Sequence, residues 1–320
     1  MTRHVQTFEE GRGRHASSPS QIPARGWLDI ALRIWRSINA DRVMLVAGGA
    51  TFYLLLALFP ALTAFVSAYG FFADPMVVSQ HISALDTLVP SSGLDMIRER
   101  LESLTTQDSG TLGFGIIIGL LVAFWSANNG VKALFDALNI AYGEAERRSF
   151  VRLNLVAFGF TLGAMFTAAL LIAAIGVVPV LLALLNLGDW SELLLRLLRW
   201  PVLLVLIGAG IMLLYRYGPS RERARWRWIT WGGATATVAW IAASAAFSFY
   251  LQRFADYEAT YGSLGAIIGF LMWTWISVII LILGAKLNAE MEHQTSIDTT
   301  TGSPRPMGRR GAFMADHVGD

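Results

Sequence analysis

The stretch TYGSLGAIIGFLMWTWISVIILILGAKLNAEME, residues 260–292, decides the fold of this chain. From Leu264 to Ala285 it carries no charge, and at ~1.5 Å rise per residue it is long enough to cross the ~30 Å hydrocarbon core of a bilayer. A helical projection separates a face of small and polar side chains from a face of large apolar ones. We expect the first face to pack against other helices and the second to contact lipid. The small face carries Gly262, Gly265, Gly269, Ser277, Gly284 and Asn288, and the apolar face carries Leu264, Ile267, Leu271, Trp275, Val278 and Ile282.

The composition of the whole chain also indicates a membrane protein. Hydrophobic residues make up 54% of the chain and charged residues 15%, whereas soluble domains carry about 25% charged residues. The sequence has no cysteine, which excludes a disulfide framework, a thiolate metal site and a cysteine nucleophile. None of the five histidines lies in an apolar span or shows metal-ligand spacing, so we expect no metal and no cofactor.

Five further apolar stretches precede the opening one, so the sequence predicts an all-α membrane protein with six transmembrane helices. Pro60 lies near the middle of the first span and predicts a kink, which is favoured over a freed carbonyl that binds a ligand or forms a hinge. The predicted spans cover residues 43–72, 111–127, 153–185, 193–217, 228–254 and 262–286.

Glycine pairs in GxxxG spacing mark the predicted helix–helix contacts, because small residues let helix backbones approach closely within a membrane. The candidate packing positions are Gly115, Gly119, Gly159 and Gly163 in spans two and three, and Gly262, Gly265, Gly269 and Gly284 in span six.

The Lys and Arg residues predict the orientation, because cytoplasmic segments carry an excess of these residues. Most of the 25 lie in the two terminal segments and in the connections after spans two and four. This asymmetry predicts a multi-pass protein of the bacterial inner (plasma) membrane with both termini in the cytosol. The exceptions are Arg98, Arg100, Arg196, Arg199 and Arg253.

The polar ends of the chain are predicted to lie outside a membrane domain of residues 27–293. Residues 1–26 and 294–320 have the composition of disordered cytosolic tails. Residues 27–41 mix apolar side chains with Arg33 and Arg36, which is typical of an amphipathic interfacial helix. The outer connection, residues 73–110, predicts two short amphipathic helices that cap the span ends.

A layer of polar residues at the predicted cytosolic ends of the spans is the candidate functional site. Its members come from the segment after span two and from the end of span six. A solvated stripe that closes the helix ends is the favoured interpretation, and the mouth of a polar cavity is the alternative. The layer comprises Asn128, Asn129, Lys132, Asp136, Asn139, Lys286, Asn288 and Glu290.

The connection after span four, YRYGPSRERARWRW, alternates arginines with aromatic residues at the predicted cytosolic boundary. This pattern predicts contacts with the lipid bilayer and with anionic lipid headgroups, at ~1 kcal/mol per basic residue. Topology anchoring explains the pattern equally well. Specific nucleic-acid recognition is disfavoured, because such grooves lie on folded soluble platforms. The candidate headgroup contacts are Arg221, Arg223, Arg225 and Arg227.

The sequence lacks the motifs that are typical of several transport and enzyme mechanisms. No Asp, Glu, Lys or Arg lies near the centre of a span, which disfavours a simple proton-coupled transporter. No Walker loop, G-x-S-x-G or HExxH motif occurs, so we expect no catalytic residues and no enzyme.

Three stretches together resemble the YihY/BrkB family of bacterial inner-membrane proteins. They are AGGATFYLLLALFPAL at residues 47–62, NIAY followed by RRSFVR at residues 139–152, and YGSLG to LNAE at residues 261–290. The resemblance covers about residues 27–293 and implies six spans with cytosolic ends. Members commonly carry a glutamate where this chain has Lys286, and Glu290 follows one turn later.

The resemblance implies little chemistry. An old label, ribonuclease BN, is regarded as a misassignment, and members have been associated with envelope integrity, serum resistance and lipid export. We therefore expect transport or export of a lipid or other amphipathic envelope component. A non-transporting structural or assembly factor is the alternative, and a ribonuclease is disfavoured. Substrate, energy source and oligomeric state stay open.

Overall fold

The computed structural model describes residues 11–72, 109–172, 189–253 and 264–319, and within these ranges it is helical without a β-strand. The predicted outer helices, the end of predicted span three and Gly262 lie outside the described residues. The helices are α1 Ala24–Ala40, α2 Val43–Phe72, α3 Ser109–Tyr142, α4 Phe150–Ile172, α5 Asp189–Tyr217, α6 Trp226–Arg253, α7 Gly265–His293 and the short α8 Phe313–Asp316.

The helix α3 continues beyond the predicted end of span two. It runs to Tyr142, so the polar residues of this segment lie on the same helix as the predicted span and not on a separate interfacial one. The helix ends at Gly143, whose positive φ of 67° suits a C-terminal cap. The amide of Gly143 donates to Ile140 O and that of Glu144 to Asn139 O, which are the two bonds of a Schellman motif.

Three helices are long and apolar enough to cross a bilayer within the described residues, over Phe150–Thr167, Trp226–Leu251 and Ile267–His293. A fourth candidate is the bent pair Ala24–Ala40 and Val43–Ala57, whose axis turns by 63°. Arg42 makes this turn in the left-handed region, at φ 50°. Pro60 lies within α2, and its predicted kink stays a prediction.

The chain divides into two compact units. One comprises Met1–Ala47, Leu134–Ala242 and Ser277–Asp320, and we call it the basic unit. The other comprises Gly48–Ala133 and Ala243–Ile276. In this second unit, the Trp273 indole donates to Ser244 Oγ at 3.1 Å, which joins α7 to α6.

Apolar side chains from distant parts of the sequence form the core of the basic unit. Trp27 of α1 lies against Trp231 of α6, with ring centroids 5.7 Å apart. The surrounding cluster joins the N-terminal segment to α1, α6 and α7. Its fully buried members are Ala16, Ile22, Ile30, Trp228 and Met291.

Helices α5, α6 and α7 approach closely at a pair of glycines. A Cβ built on Gly284 would collide with the Tyr215 hydroxyl and would lie 2.7 Å from Ala236 Cβ and 3.0 Å from Gly232 O. The Tyr215 hydroxyl donates to Leu281 O at 2.8 Å. The missing side chains therefore let three helix backbones meet, as small residues do in membranes.

Other glycines predicted to pack against helices do not show such a close approach. In the described part of the chain, no atom lies within 4 Å of a Cβ built on Gly159, Gly163 or Gly269. Gly265 is buried, whereas the packing around Gly115 and Gly119 lies outside the described residues.

Near the end of α7, the face that was predicted to contact lipid is buried instead. Val278 and Ile282 are each only 2% exposed, so this half of α7 is enclosed on both faces.

The composition of the two terminal segments predicts disorder, but their described residues, from 11 onward and up to 319, are hydrogen-bonded to each other. Ser296 N donates to Arg14 O at 2.8 Å, and Thr295 Oγ1 donates to Ala16 O at 2.8 Å. Asp316 accepts three backbone amides of the loop before α8. Hydrogen bonds fix these segments together with a few buried apolar side chains such as Ala16 and Ile22, and composition alone does not reveal those bonds.

Candidate functional site

The polar end of α7 is fixed by partners from the N-terminal part of the chain. Lys286, where the family resemblance implies a glutamate, forms an ion pair with Asp41 at the α1–α2 junction. Arg33 of α1 donates to Glu290 Oε2 and to Gln294 Oε1, each at 2.6 Å. These predicted layer residues therefore attach α1 to α7.

Asn288 attaches α7 to α6 from the same region. Its side-chain oxygen accepts the amide of Gly232 at 2.9 Å, and the residue is fully buried.

A buried ion pair joins α7 to the α5–α6 connection. Arg221 donates to both carboxylate oxygens of Glu292, at 3.0 and 2.6 Å, and the two side chains are 3% and 0% exposed. Thr299 adds a hydroxyl hydrogen bond of 2.6 Å to the carboxylate. Burial alone lowers the pKa of Arg221, but Glu292 raises it above its ordinary value, so the guanidinium stays charged.

The α3 members of the layer fall into both units. Asn128, Asn129 and Lys132 belong to the second unit, where Lys132 lies 5.6 Å from the ring of Trp125. In the basic unit, Asp136 is exposed.

Asn139 fixes the connection after α3 to that after α5. It accepts the amide of Ser220 at 2.7 Å and donates to Glu146 at 3.2 Å. The amide therefore has a defined structural role.

The four arginines predicted to contact headgroups occupy different environments. Arg221 is engaged by Glu292, and Arg225 donates to Thr300 O at 2.9 Å. Arg223 and Arg227 are exposed, and the guanidinium of Arg223 lies 4.9 Å from the ring of Tyr217.

An open groove of about 280 Å³ lies between the α3–α4 and α5–α6 connections. We call it the arginine groove, because six arginines line it and Glu222 is the acidic residue of its wall. Sequence reasoning identified only two of the six, although RRSFVR placed three more next to each other. The lining arginines are Arg147, Arg148, Arg152, Arg216, Arg221 and Arg223.

Glu146 fixes one wall of the groove. Its carboxylate accepts two hydrogen bonds from the Arg148 side chain, at 2.8 and 2.6 Å. Arg148 also donates to Gly218 O at 2.8 Å, which joins the two connections. Burial by itself raises the pKa of Glu146, but the hydrogen bonds and charge of Arg148 lower it to about 2.

Glu146→Gln is therefore expected to lower the melting temperature at neutral pH and to lose this effect in acid. Because the folded-state pKa lies below the ordinary 4.5, the carboxylate stabilises the fold above pH 4.5. That contribution disappears as the pH falls through about 2. Thermal unfolding of wild type and variant at several pH values measures the gap.

The matched control for this measurement is Glu222→Gln. Glu222 is 45% exposed and lies 3.9 Å from Arg305, so its removal should leave no pH-dependent gap. A Glu146→Gln gap that is constant from neutral pH to about pH 2.5 would contradict the assignment.

Glu144 is a second, buried carboxylate close to the arginines of the groove. It accepts the amide of Phe313 at 2.6 Å, and its second oxygen is 3.8 Å from Arg147. Burial raises the pKa of Glu144, which weakens its ability to neutralise that arginine.

In the parts of the chain that the structure describes, no three His, Asp or Glu side chains lie close enough together to bind a metal ion.

The fold defines the class of protein: an α-helical membrane protein with several helices able to cross a bilayer. The family model described as virulence factor BrkB matches residues 34–308, and the chain belongs to this family.

Curated relatives agree with this membership. The ribonuclease-like protein YfkH of Bacillus subtilis is 33% identical over 244 residues, which cover 74% of this chain and 86% of YfkH. A UPF0761 membrane protein of Paraburkholderia xenovorans is 27% identical over 78% of this chain, and one of Aromatoleum aromaticum is 25% identical over 79%. The chain spans 56% and 61% of these two relatives. No solved structure matches the chain.

Proposed function

We propose that this protein crosses the bacterial inner membrane six times with both termini in the cytosol. The support is that all four segments predicted to be cytosolic contact one another in the basic unit. Arg148 joins the second segment to the third, and Thr299 O accepts the amide of Arg225, joining the third to the fourth. Ser296 joins the fourth to the first. Pairs of spans between successive segments return the chain to one side each time.

The helix α1 supports this topology as an interfacial element. One face packs into the basic unit through Ile30. The other face exposes Leu28, Leu32 and Trp35, an arrangement that suits burial in the headgroup region. The bend at Arg42 lets α1 take a direction different from that of α2.

We further propose that the protein moves or exports a lipid or another amphipathic envelope component. The observation that carries this proposal is the arginine groove beside the apolar start of α4. Arg152 and Val156 line the groove, while Phe150, Val151 and Leu155 of the same turns are 73%, 66% and 65% exposed. A polar, basic groove next to an apolar helix surface suits a molecule with an anionic head and apolar tails.

Reconstituted vesicles test the movement. A fluorescent anionic phospholipid should cross the bilayer faster in vesicles with the protein than in empty vesicles, as read by chemical quenching of the outer leaflet. Vesicles that contain an unrelated membrane protein at the same density control for bilayer defects. Equal rates in all three preparations would contradict the proposal.

A structural or assembly factor is the second candidate, and the fixed end of α7 favours it. The pairs Lys286–Asp41, Arg33–Glu290 and Arg221–Glu292 brace this end against three other parts of the chain. A partner that copurifies in fixed stoichiometry, without lipid movement in the vesicle assay, would favour this alternative.

We also propose that the chain does not cleave RNA, and the ribonuclease term in the name of YfkH is not carried over. The support is that Glu290, which lies 3.4 Å from His293, is already engaged by Arg33. Purified protein incubated with labelled RNA should leave it intact, and cleavage that copurifies with the wild type but not with His293→Ala would contradict this.

A further inference from the structure

The arginine groove contains more positive charge than its own carboxylates neutralise. Of its lining residues, Arg148 is paired with Glu146, and Arg221 is paired with Glu292. Arg147 is 70% exposed at the rim, and Glu144 lies at the long distance of 3.8 Å. Glu222, the acidic residue of the wall, is exposed and lies 3.9 Å from Arg305, which does not line the groove.

Three other arginines of the groove have no carboxylate within salt-bridge distance among the described residues. Arg152 and Arg223 are exposed, and the guanidinium of Arg223 rests against the ring of Tyr217. Arg216 donates to Ala224 O at 2.7 Å, its guanidinium lies 4.4 Å from the ring of Trp226, and its Nε is buried without a hydrogen-bond partner. Like charges gathered around one groove repel each other, so this arrangement is stabilised by an anion.

The position of Arg152 adds to this excess. It lies in the first turn of α4, where the helix dipole already presents positive charge, and this turn carries no acidic residue. A cation at this end is unfavourable unless an anion binds between it and the helix amides. The arginines without a carboxylate partner and the first turn of α4 therefore indicate the same kind of ligand.

The charge and the donor geometry decide which anion fits. A carboxylate carries a single charge and is satisfied by one guanidinium, whereas a phosphate carries up to two charges and offers several acceptor oxygens. Arginine forks bind phosphate oxygens in pairs. Three guanidiniums without carboxylate partners therefore match a phosphate group better than a carboxylate.

We propose that the arginine groove binds a phosphate group, as a phosphate ester on a lipid or as free phosphate, through Arg152, Arg216 and Arg223. The lipid form of this inference rests on the proposed function, because it identifies the head of the molecule that the protein would move. Arg148 and Arg221 position the walls through their own carboxylates, and Arg147 lies at the rim.

Two titrations on the purified full chain in nonionic detergent test the site. Calorimetry measures binding of inorganic phosphate. A fluorescent phosphatidic acid, with the matching diacylglycerol as the phosphate-free probe, measures binding of the lipid form. The test variant is R152Q/R223Q. The matched control is R25Q/R309Q, which removes two exposed arginines that do not line the groove and are not among the candidate headgroup contacts.

We expect the wild type to bind phosphatidic acid but not diacylglycerol, and R152Q/R223Q to weaken phosphate or phosphatidic acid binding at least about tenfold. The control should bind like the wild type. Binding only in the lipid titration assigns the phosphate to a lipid, and binding only of inorganic phosphate assigns it to a soluble source. The inference fails if the wild type binds neither, if R152Q/R223Q binds normally, or if the control loses as much.

The vesicle assay separates this inference from the proposed function. Groove-dependent phosphate binding without lipid movement removes the proposed function and leaves the phosphate site. Lipid movement that R152Q/R223Q supports at the wild-type rate, with no phosphate binding, removes the site and leaves the function. Equal melting temperatures of wild type and R152Q/R223Q establish that both proteins are folded when their binding is compared.

Discussion

Replacing Arg221 with methionine is expected to destabilise the protein by about 3–5 kcal/mol, because it leaves a buried carboxylate without its cation. Glu292 is fully buried, and Thr299 would be its remaining side-chain donor. The substitution also removes the guanidinium that lies 4.8 Å from the ring of Tyr142. A large fall in the apparent melting temperature in detergent, with loss of folded protein on size exclusion, is the expected readout.

Two variants separate the buried charge from a general loss of ion pairs. Arg305→Met breaks the exposed Arg305–Glu222 pair, whose side chains are 47% and 45% exposed, and should cost at most about 1 kcal/mol. The double variant R221M/E292M removes both buried charges and should recover much of the stability that R221M loses. Equal losses for R221M and R305M would contradict the account of this pair.

Gly284→Leu is expected to prevent close packing of α5, α6 and α7 and to cost about 3 kcal/mol, at the upper end of the usual cost of overpacking. Even the first added carbon would collide with the Tyr215 hydroxyl and with Ala236. The carbonyl oxygen of Gly232 blocks a third direction, and a helix backbone does not move aside as a flexible side chain does. The melting temperature and the yield of monodisperse protein in detergent measure the effect.

Gly163→Leu is the matched control, since it adds the same side chain to another membrane helix. No atom of the described residues lies within 4 Å of the position where its Cβ would stand, so the leucine should be accommodated with little change in stability. If both variants unfold alike, leucine itself and not the contact at Gly284 is responsible.

The helices were largely predictable because their determinants are local. The charge-free stretch of the last span is observed as α7, and α2 has the predicted bounds of the first span, Val43–Phe72. The end of α3 was harder to predict, because the break comes from Gly143 and not from the change in polarity after residue 127. The number of spans that cross the bilayer depends on the membrane and stays a prediction.

The candidate site was predictable in its residue types but not in its partners. Sequence position indicated that Glu290 closes the last helix, but Arg33, its partner, lies 257 residues away. No local periodicity connects two such residues. The order of the terminal segments was missed for a related reason, since the buried Arg310 donates to the backbone carbonyls of Ala315 and Ser296, and composition does not reveal such bonds.

The arginine groove could not be predicted from the sequence either, because its residues come from separate connections. Alternation with aromatic residues drew attention to Arg221 and its neighbours, yet Arg221 is a buried wall residue. Arg152 belongs to a different connection and completes the groove only in the folded chain. Grouping the basic residues by predicted membrane side placed these arginines on the same side but did not show which of them share a groove.

The lipid retained by the purified protein tests the central claim most directly. Extraction and mass spectrometry of wild type and R152Q/R223Q, each purified in the same detergent, compare the bound lipids with those of the source membrane. The account predicts that a phosphate-bearing lipid is enriched on the wild type and that this enrichment is lost in the variant. Bound lipids that mirror the membrane in both preparations would contradict it.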